Sequence, residues 1–288
     1  LGLAEACHRL RPLNIDIHRL EAGTAFRAAS PKMQFTMRSD PMRYGLPDTL
    51  PEIAIGCGRQ VIAPLMALKK KAGADIFTIY VQDPRLDAKH FDMVIAPQHD
   101  ELSGDNVVTM IGAPNRITNT ELITQVLSQH QRLADMPMPR VAMLIGGTSK
   151  THKLTEEVHA QHMKAAQDAI ASGRSLMIST SRRTPGWAVQ SYLDFANGKD
   201  NVWLYTEGEA NPYLTFLGAA DTILVTEDST NMLTDACTAG KSVFTLPMAG
   251  DPGKFQHLYD QLASRCGVKA YDKRFKTEDY IRLDETAR

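Results

Sequence analysis

The amino-acid sequence predicts an α/β protein of two doubly wound, parallel-sheet domains that face a cleft. Three observations carry this prediction. The 288 residues exceed what one hydrophobic core usually organises. From Pro51 onward, short apolar runs alternate with stretches of helical period, the pattern of a parallel sheet with crossover helices. Predicted strands in both halves run into glycine or polar residues, and the carboxyl ends of such strands are where an open parallel sheet forms its ligand crevice.

Composition narrows the class. Hydrophobic residues make up 43% of the chain and charged residues 23%, an ordinary globular balance that sets disordered and fibrous classes aside. Lys and Arg number 32 against 33 Asp and Glu, so there is no overall field to hold nucleic acid by its phosphates. Cys7, Cys57, Cys237 and Cys266 are scattered and form no CxxC or other metal-ligand spacing, which points to a reduced, cytoplasmic setting. No apolar run reaches the roughly 20 residues that span a bilayer, and the N-terminus lacks the order of a signal peptide. Any membrane contact, including one through a partner, is expected to be peripheral.

The elements follow in order. Leu1-Gly2-Leu3-Ala4-Glu5-Ala6 already reads as helix with neither N-cap nor strand before it, so the chain is expected to begin inside an element. Met33, Met37 and Met42 lie in a segment with Arg38, Arg43 and Gly45 that shows no clear period, and they are expected in the core. Four strands are predicted at Glu52–Ile55, Asp75–Val81, Asp92–Ala96 and Val107–Ile111. A helix at Gln60–Lys71 ends in Lys69, Lys70 and Lys71, read as a solvated terminus. Another helix begins near Thr120, and Pro137 and Pro139 mark a linker after it, dividing the chain into domains 1–134 and 135–288. Strands then restart at Val141–Ile145, Leu176–Ser179, Val202–Tyr205, Thr222–Val225 and Val243–Leu246. Helices fit between them at Leu154–Ser172, Trp187–Ala196, Pro212–Gly218 and Asn231–Ala239.

Residues after each strand are the candidates for chemistry. In the first half these are Gly56, Gly58 and Arg59, then Gln82, Asp83 and Arg85, then Gln98, His99 and Asp100, then Gly112, Asn115 and Arg116. Ordinary polar turns are the competing explanation. In the second half, Gly146-Gly147-Thr148-Ser149-Lys150 offers an anion cradle, although it has the spacing of neither a Walker loop nor GxGxxG, and a plain strand-to-helix turn would also account for it. Ser181, Arg182 and Arg183 follow the next strand, and Arg suits phosphate through paired hydrogen bonds, a surface ion pair being the alternative. The most specific segment runs from Thr226 to Lys241. Asp228, Ser229, Thr230 and Asn231 open a helix whose free N–H groups and positive dipole end suit a phosphate. Asp235, within two turns of that end, could accept both hydroxyls of a ribose, or could belong to a solvated helix face. His159 and His162 share a helix face with Glu156 nearby and His152 upstream. Nothing matches HExxH, so no metal is expected and both histidines are assigned to solvent.

The strings IGCGRQVIAPLMAL, YVQDPR, DMVIAPQHD, IGAPNRIT, LIGGTSK, STSRRTP and TEDSTNMLTDACTAGKSVF, in this order, resemble the mitochondrial-fission (elongated mitochondria) family and its bacterial relatives. That resemblance implies a GT-B glycosyltransferase-like fold, with two Rossmann-like domains and a nucleotide-sugar donor on the C-terminal one. The helix at Ser229–Gly240 is also similar to the donor helix of the peptidoglycan N-acetylglucosaminyltransferase, in which a carboxylate at the place of Asp235 holds the ribose. The chain departs from the family at Asp235, where relatives carry Glu, and at Lys241-Ser242, where they carry Lys-Pro.

The implied function is transfer of a glycosyl group from a nucleoside-diphosphate sugar to an unidentified acceptor, with no cofactor beyond that donor. Gly146 to Lys150, Ser181, Arg182, Arg183, Asp228 to Asn231 and Asp235 then form the donor side. Gly56, Gly58, Arg59, Arg85, Asn115 and Arg116 form the acceptor side, and Asp83, His99 or Asp100 serves as base. Two other functions fit the same resemblance. A nucleotide-sugar epimerase on this scaffold would be separated by its product, and a non-catalytic adaptor by binding without turnover.

Overall fold

The computed structural model describes residues 1–20, 26, 28–37, 40–46, 49–205, 210–276 and 281–287. The chain divides into two compact units, Leu1–Pro114 and Asn115–Arg288.

The first unit opens with helices α1 (Gly2–Leu10) and α2 (Pro31–Met37). Strands β1 (Ile53–Cys57), β2 (Phe77–Val81), β3 (Met93–Pro97) and β4 (Val107–Met110) then pair in sequence order, all parallel. Helix α3 (Ile62–Ala72) joins β1 to β2 after a 3₁₀ turn at Arg59–Val61. Every residue of α3 from Ile62 to Leu68 is buried. The helix approaches β1 closely because Gly56 lacks a Cβ, which would stand 2.5 Å from Leu65 Cδ1. Tyr80 stacks on Phe91 beneath the sheet, with ring centroids 5.1 Å apart.

Two expectations for this unit are corrected. Met33 and Met37 are more than half exposed and Met42 is exposed, so none of the three is a core residue. On α2 it is Gln34 that turns inward, donating through Nε2 to the Phe26 and Ala29 carbonyls at 2.7 and 3.2 Å. Arg38 and the side chain of Arg43 lie outside the described residues. Of the terminal lysines, Lys70 and Lys71 are exposed as expected, but Lys69 is tied down: its ammonium lies 2.6 Å from Asp92 Oδ1 and donates to the Ile76 carbonyl.

The second unit begins with helices α4 (Asn119–Ser128) and α5 (His130–Ala134). Strand β5 (Arg140–Ile145), the short strand β6 (His152–Lys153), helix α6 (Glu156–Ala171), strand β7 (Ser175–Thr180), helix α7 (Gly186–Ala196) and strand β8 (Val202–Tyr205) follow. Helix α8 (Tyr213–Ala219), strand β9 (Thr222–Thr226), helix α9 (Thr230–Ala239) and strand β10 (Ser242–Leu246) come next. Strand β11 (Ala249–Gly250), helix α10 (Phe255–Cys266) and strand β12 (Lys269–Ala270) complete it. Six strands form one parallel sheet in the order β12-β10-β9-β5-β7-β8, and β6 pairs antiparallel with β11 beside it. The order runs outward in both directions from the β5–β9 pair, which is the doubly wound arrangement with its switch point between those strands. Both faces of this sheet are covered. Val141 to Ile145 of β5 are fully buried, which explains why its sequence is continuously apolar rather than alternating.

The units divide at Pro114/Asn115, ahead of the linker expected between residues 134 and 135. The reason is the packing of α4 on α8. A Cβ at Gly218 would stand 2.8 Å from Val126 Cγ2 and 3.1 Å from the Leu122 carbonyl, so the helices touch at backbone distance. Thr215 Oγ1 adds a hydrogen bond to the Gln125 carbonyl at 3.2 Å. Pro137 and Pro139 therefore interrupt the path between α5 and β5 without separating α4 from this unit. Among the described residues no helix is long and apolar enough to cross a membrane.

The histidines of α6 are also corrected: His159 is 6% exposed and His162 fully buried. Their shared face points into the protein. His159 meets the edges of Trp187 and Tyr192, with ring centroids 5.1 and 5.0 Å away. His162 Nε2 donates to the Pro247 carbonyl at 2.7 Å, and burial, which lowers its pKa, favours the neutral ring.

Two stability measurements check this packing. Gly218→Val should lower the unfolding free energy by about 1–3 kcal/mol, because Leu122 backbone and the short Val126 side chain cannot yield to the added methyls. Chemical denaturation reads this directly, and an unchanged midpoint would show that α4 and α8 are not in close contact. The second measurement concerns pH. Burial lowers His162 to about 4, against an ordinary 6.5. The unfolded chain therefore takes up this proton first as pH falls, and stability should drop between about pH 6.5 and pH 4, by roughly 3 kcal/mol from this ring. His162→Gln, which retains a donor for Pro247, should flatten that slope. An equally steep slope in the variant would contradict a neutral buried imidazole.

Candidate functional site

At the switch point the carboxyl ends of β5 and β9 stand side by side, with Leu144 opposite Val225. The turn after β5 is Gly146-Gly147, and its amides are already taken. Gly146 N–H donates to Thr226 Oγ1 at 2.8 Å and Gly147 N–H to Asp228 Oδ2 at 3.0 Å. A Cβ on Gly146 would lie 2.1 Å from Asp228 Oδ1, and one on Gly147 would lie 1.9 Å from the Arg183 carbonyl oxygen. The two glycines are therefore required by the chain's own Asp228 and by the backbone of the Arg183 turn. The anion in the expected Gly146–Gly147 cradle is the Asp228 carboxylate.

Arg183 completes this arrangement. Its Nη2 lies 2.7 Å from Asp228 Oδ2, and Nη1 donates to the Gly147 carbonyl at 3.3 Å. The Asp228 side chain is fully buried, while that of Arg183 is 42% exposed. The preceding turn is held by Thr184, whose hydroxyl donates to the Gly146 carbonyl at 2.5 Å and accepts from Ser181 N–H at 2.9 Å. Arg182 is exposed. Further along the β5 loop, Thr148 Oγ1 accepts from Leu154 N–H, and Ser149 Oγ accepts from the amides of Thr151 and His152. Those hydroxyls shape the loop, and Lys150 is exposed at its tip.

Helix α9 opens beside this turn. Ser229 Oγ accepts from Met232 N–H at 3.4 Å and the Ser229 carbonyl accepts from Leu233 N–H, so the cap is made as expected. The amides of Thr230 and Asn231, in the first turn, have no protein acceptor among the described residues and project along the helix axis with the positive end of its dipole. Asp235 is half-buried rather than solvated, and its Oδ2 accepts a 2.9 Å hydrogen bond from the Tyr213 hydroxyl on α8. Burial raises the Asp235 carboxyl to about 6 against the lowering effect of that bond. Burial, and then the neighbouring carboxylate, hold the Tyr213 hydroxyl well above its ordinary value. One hydrogen bond leaves the carboxylate with acceptor positions to spare.

A polar brace that includes the buried His152 lies just past the end of β9. Tyr259 on α10 donates to the Glu227 carbonyl at 2.7 Å and accepts from His152 Nε2 at 3.1 Å, while His152 Nδ1 lies 2.9 Å from the Thr151 hydroxyl. Glu227 Oε2 accepts from Met248 N–H at 3.0 Å, and burial raises its carboxyl above the usual range. Sequence reasoning missed Tyr213, Tyr259 and Glu227. The adjacency of Glu227 to Asp228 was the available signal, since two acids at the end of a buried strand must each find donors.

The first-unit candidates are placed differently from expectation. Asp83 Oδ1 accepts from Arg85 N–H at 2.8 Å and Oδ2 pairs with Arg85 Nε at 3.0 Å, so these two residues serve one tight turn with Arg85 at φ 56°. His99 is buried beside half-buried Asp100, with Nε2 3.9 Å from Oδ1. Arg59 donates to the Ala29 carbonyl at 2.8 Å, Gly58 provides a φ of 88°, and Gly56 lies under α3. Asn115 and Arg116 belong to the second unit rather than to an acceptor side in the first. Asn115 Nδ2 donates to Thr238 Oγ1 on α9 at 2.9 Å, its N–H to Thr286 Oγ1 at 3.0 Å, and its Oδ1 accepts from Ile117 N–H. It anchors the far end of α9.

The comparisons with known proteins agree with this architecture. The family model "Mitochondrial fission ELM1" matches residues 1–288. The chain is 25% identical over 263 residues to the "Mitochondrial fission protein ELM1" of Arabidopsis thaliana, covering 82% of this chain and 62% of that protein. It is 24% identical over 230 residues to the "Uncharacterized protein RP120" of Rickettsia prowazekii, covering 67% and 64% respectively. The chain thus spans less than two thirds of the length of these curated relatives. Among solved structures, the UDP-GlcNAc 2-epimerase of Methanocaldococcus jannaschii in complex with UDP-GlcNAc and UDP aligns with a TM-score of 0.54 at 11% identity, over 98% of this chain and 84% of that one. The UDP-GlcNAc 2-epimerase of Neisseria meningitidis bound to UDP-GlcNAc gives 0.54 at 13% identity, over 94% and 77%. At such identities the likeness is one of fold, two Rossmann-like α/β domains of the GT-B kind. Matched by its model over its whole length, the chain belongs to the mitochondrial fission ELM1 family.

Proposed function

We propose that the second unit binds the nucleoside diphosphate of a nucleotide sugar at the β5–β9 switch point, and that the chain transfers the sugar to an acceptor. One observation carries the reading: the open first turn of α9 and the half-buried Asp235 carboxylate lie on the same helix, within two turns of each other. The amides of Thr230 and Asn231 receive the diphosphate, and the exposed Arg182 on the turn after β7 supplies a guanidinium to it. Asp235, steadied by Tyr213, accepts the hydroxyls of the ribose. Fixed N–H groups and a helix dipole stabilise a leaving diphosphate because they are already oriented when its charge develops. The solved proteins of like fold hold UDP or UDP-GlcNAc, which makes uridine nucleotides the first ligands to test.

Asp235→Asn should weaken UDP binding by roughly tenfold or more while leaving pyrophosphate binding nearly unchanged, because a hydrogen bond to a charged acceptor contributes about 1.5–3 kcal/mol. Titration calorimetry with both ligands checks this, and equal affinity for UDP in the two chains would remove the ribose contact. UDP affinity of the native chain should also fall as pH drops through about 6, where the Asp235 carboxyl takes up its proton and loses an acceptor. Asp235→Asn should lack that dependence. Incubation with UDP-GlcNAc and candidate acceptors should release UDP along with a glycosylated product. An epimerised nucleotide sugar, or binding without turnover, would contradict the transfer step.

A further inference from the structure

The donors around Gly147 hold an anion that belongs to the protein. Asp228 presents one carboxylate oxygen, Oδ2, to both the Gly147 amide at 3.0 Å and Arg183 Nη2 at 2.7 Å. Among the described residues its other oxygen, Oδ1, has no hydrogen-bond partner, although the side chain has no exposed surface. A carboxylate accepts up to about four hydrogen bonds, so these two donors leave it incompletely satisfied and provide none for a second anion. Asp228 also sits one residue before the Ser229 cap, where a full negative charge lies against the positive end of α9. Arg183 cannot leave it at small cost, since a buried carboxylate stripped of its partner is strongly destabilising.

Resting on the nucleotide reading of the same site, we infer that Asp228 is its specificity-determining residue. The carboxylate fills the inner anion position on Gly147 and Arg183, and a phosphate is left the outer position on the Thr230 and Asn231 amides. Two consequences follow. The Arg183 charge is spent on Asp228, so the anion part of any ligand is held weakly. Selectivity then falls to the nucleoside, through Asp235, and free inorganic polyanions compete poorly. Asn at position 228 keeps the shape of the side chain and an acceptor for the Gly147 amide, but removes the charge and leaves the partly exposed Arg183 guanidinium uncompensated.

The test is titration calorimetry of the full chain and of Asp228→Asn with pyrophosphate and with UDP, beside thermal unfolding of both proteins. The inference expects both ligands to bind the variant about tenfold or more tightly. Unchanged or weaker binding at an unchanged unfolding temperature overturns it. UDP binding to the native chain with no gain in the variant removes this inference alone, whereas no binding of either ligand to either chain removes the nucleotide reading with it. Should Asp228→Asn fail to fold, amide resonances of the native chain decide. Pyrophosphate should shift Thr230 and Asn231 and leave Gly147 in place, and a Gly147 shift as large as theirs would show that phosphate takes the inner position.

Discussion

A carboxylate with no exposed surface must find donors, and in the second unit the requirements of Asp228 organise the turns after β5 and β7 and the start of α9. It stands between the ends of the two strands where the sheet reverses its order, and its oxygens occupy the space a Cβ at Gly146 would need. The turn after β5 must therefore begin with glycine. The turn after β7 must bring Arg183 alongside, and Gly147 admits that backbone for the same reason. Thr184 then locks the Arg183 turn onto the Gly146 carbonyl. Removing Arg183 would leave the buried Asp228 carboxylate without its cation, a cost reduced by the 42% exposure of the Arg183 side chain. Three strand ends are thus fixed relative to one another, and the first turn of α9 is held at the reversal point as a by-product.

The elements were legible because burial imposes a period. β5 and β9, buried on both faces, read as unbroken apolar runs, and β8 falls at Val202–Tyr205 as predicted. The Ser229 cap was legible for a similar reason, since a hydroxyl before a helical run has one common purpose. Partners distant in sequence were not. The Gly146-Gly147 pair looks like a phosphate loop because glycine is needed wherever any group approaches a backbone, and nothing local says that the group is a carboxylate some 80 residues further on. His159 and His162 share a face as their spacing requires, but spacing does not say whether that face meets solvent or Trp187 and Tyr192. The division of the chain was misplaced because Pro137 and Pro139 are a stronger local signal than Gly218, whose missing side chain ties α4 to α8.

Asp235 gains its character from Tyr213, a residue with no motif around it. A carboxylate on a solvated helix face would be an ordinary surface group. Buried beside a hydroxyl whose own ionisation is suppressed, it is held in one orientation and keeps free acceptor positions. Membership of the ELM1 family and a fold shared with UDP-GlcNAc 2-epimerases fix family and fold, while the chemistry has to be argued from the site itself. Two acids seven residues apart thus differ: Asp228 is held by the protein's own donors, and Asp235 keeps the acceptor positions proposed for a ribose.

A crystal structure of the chain with UDP is the most direct measurement of that difference. The diphosphate should lie at the amides of Thr230 and Asn231, with ribose hydroxyls within hydrogen-bond reach of Asp235, roughly 2.6–3.2 Å, and Asp228 still on Gly147 and Arg183. A nucleotide bound away from α9, or a diphosphate seated on Gly147 with Asp228 displaced, would contradict it.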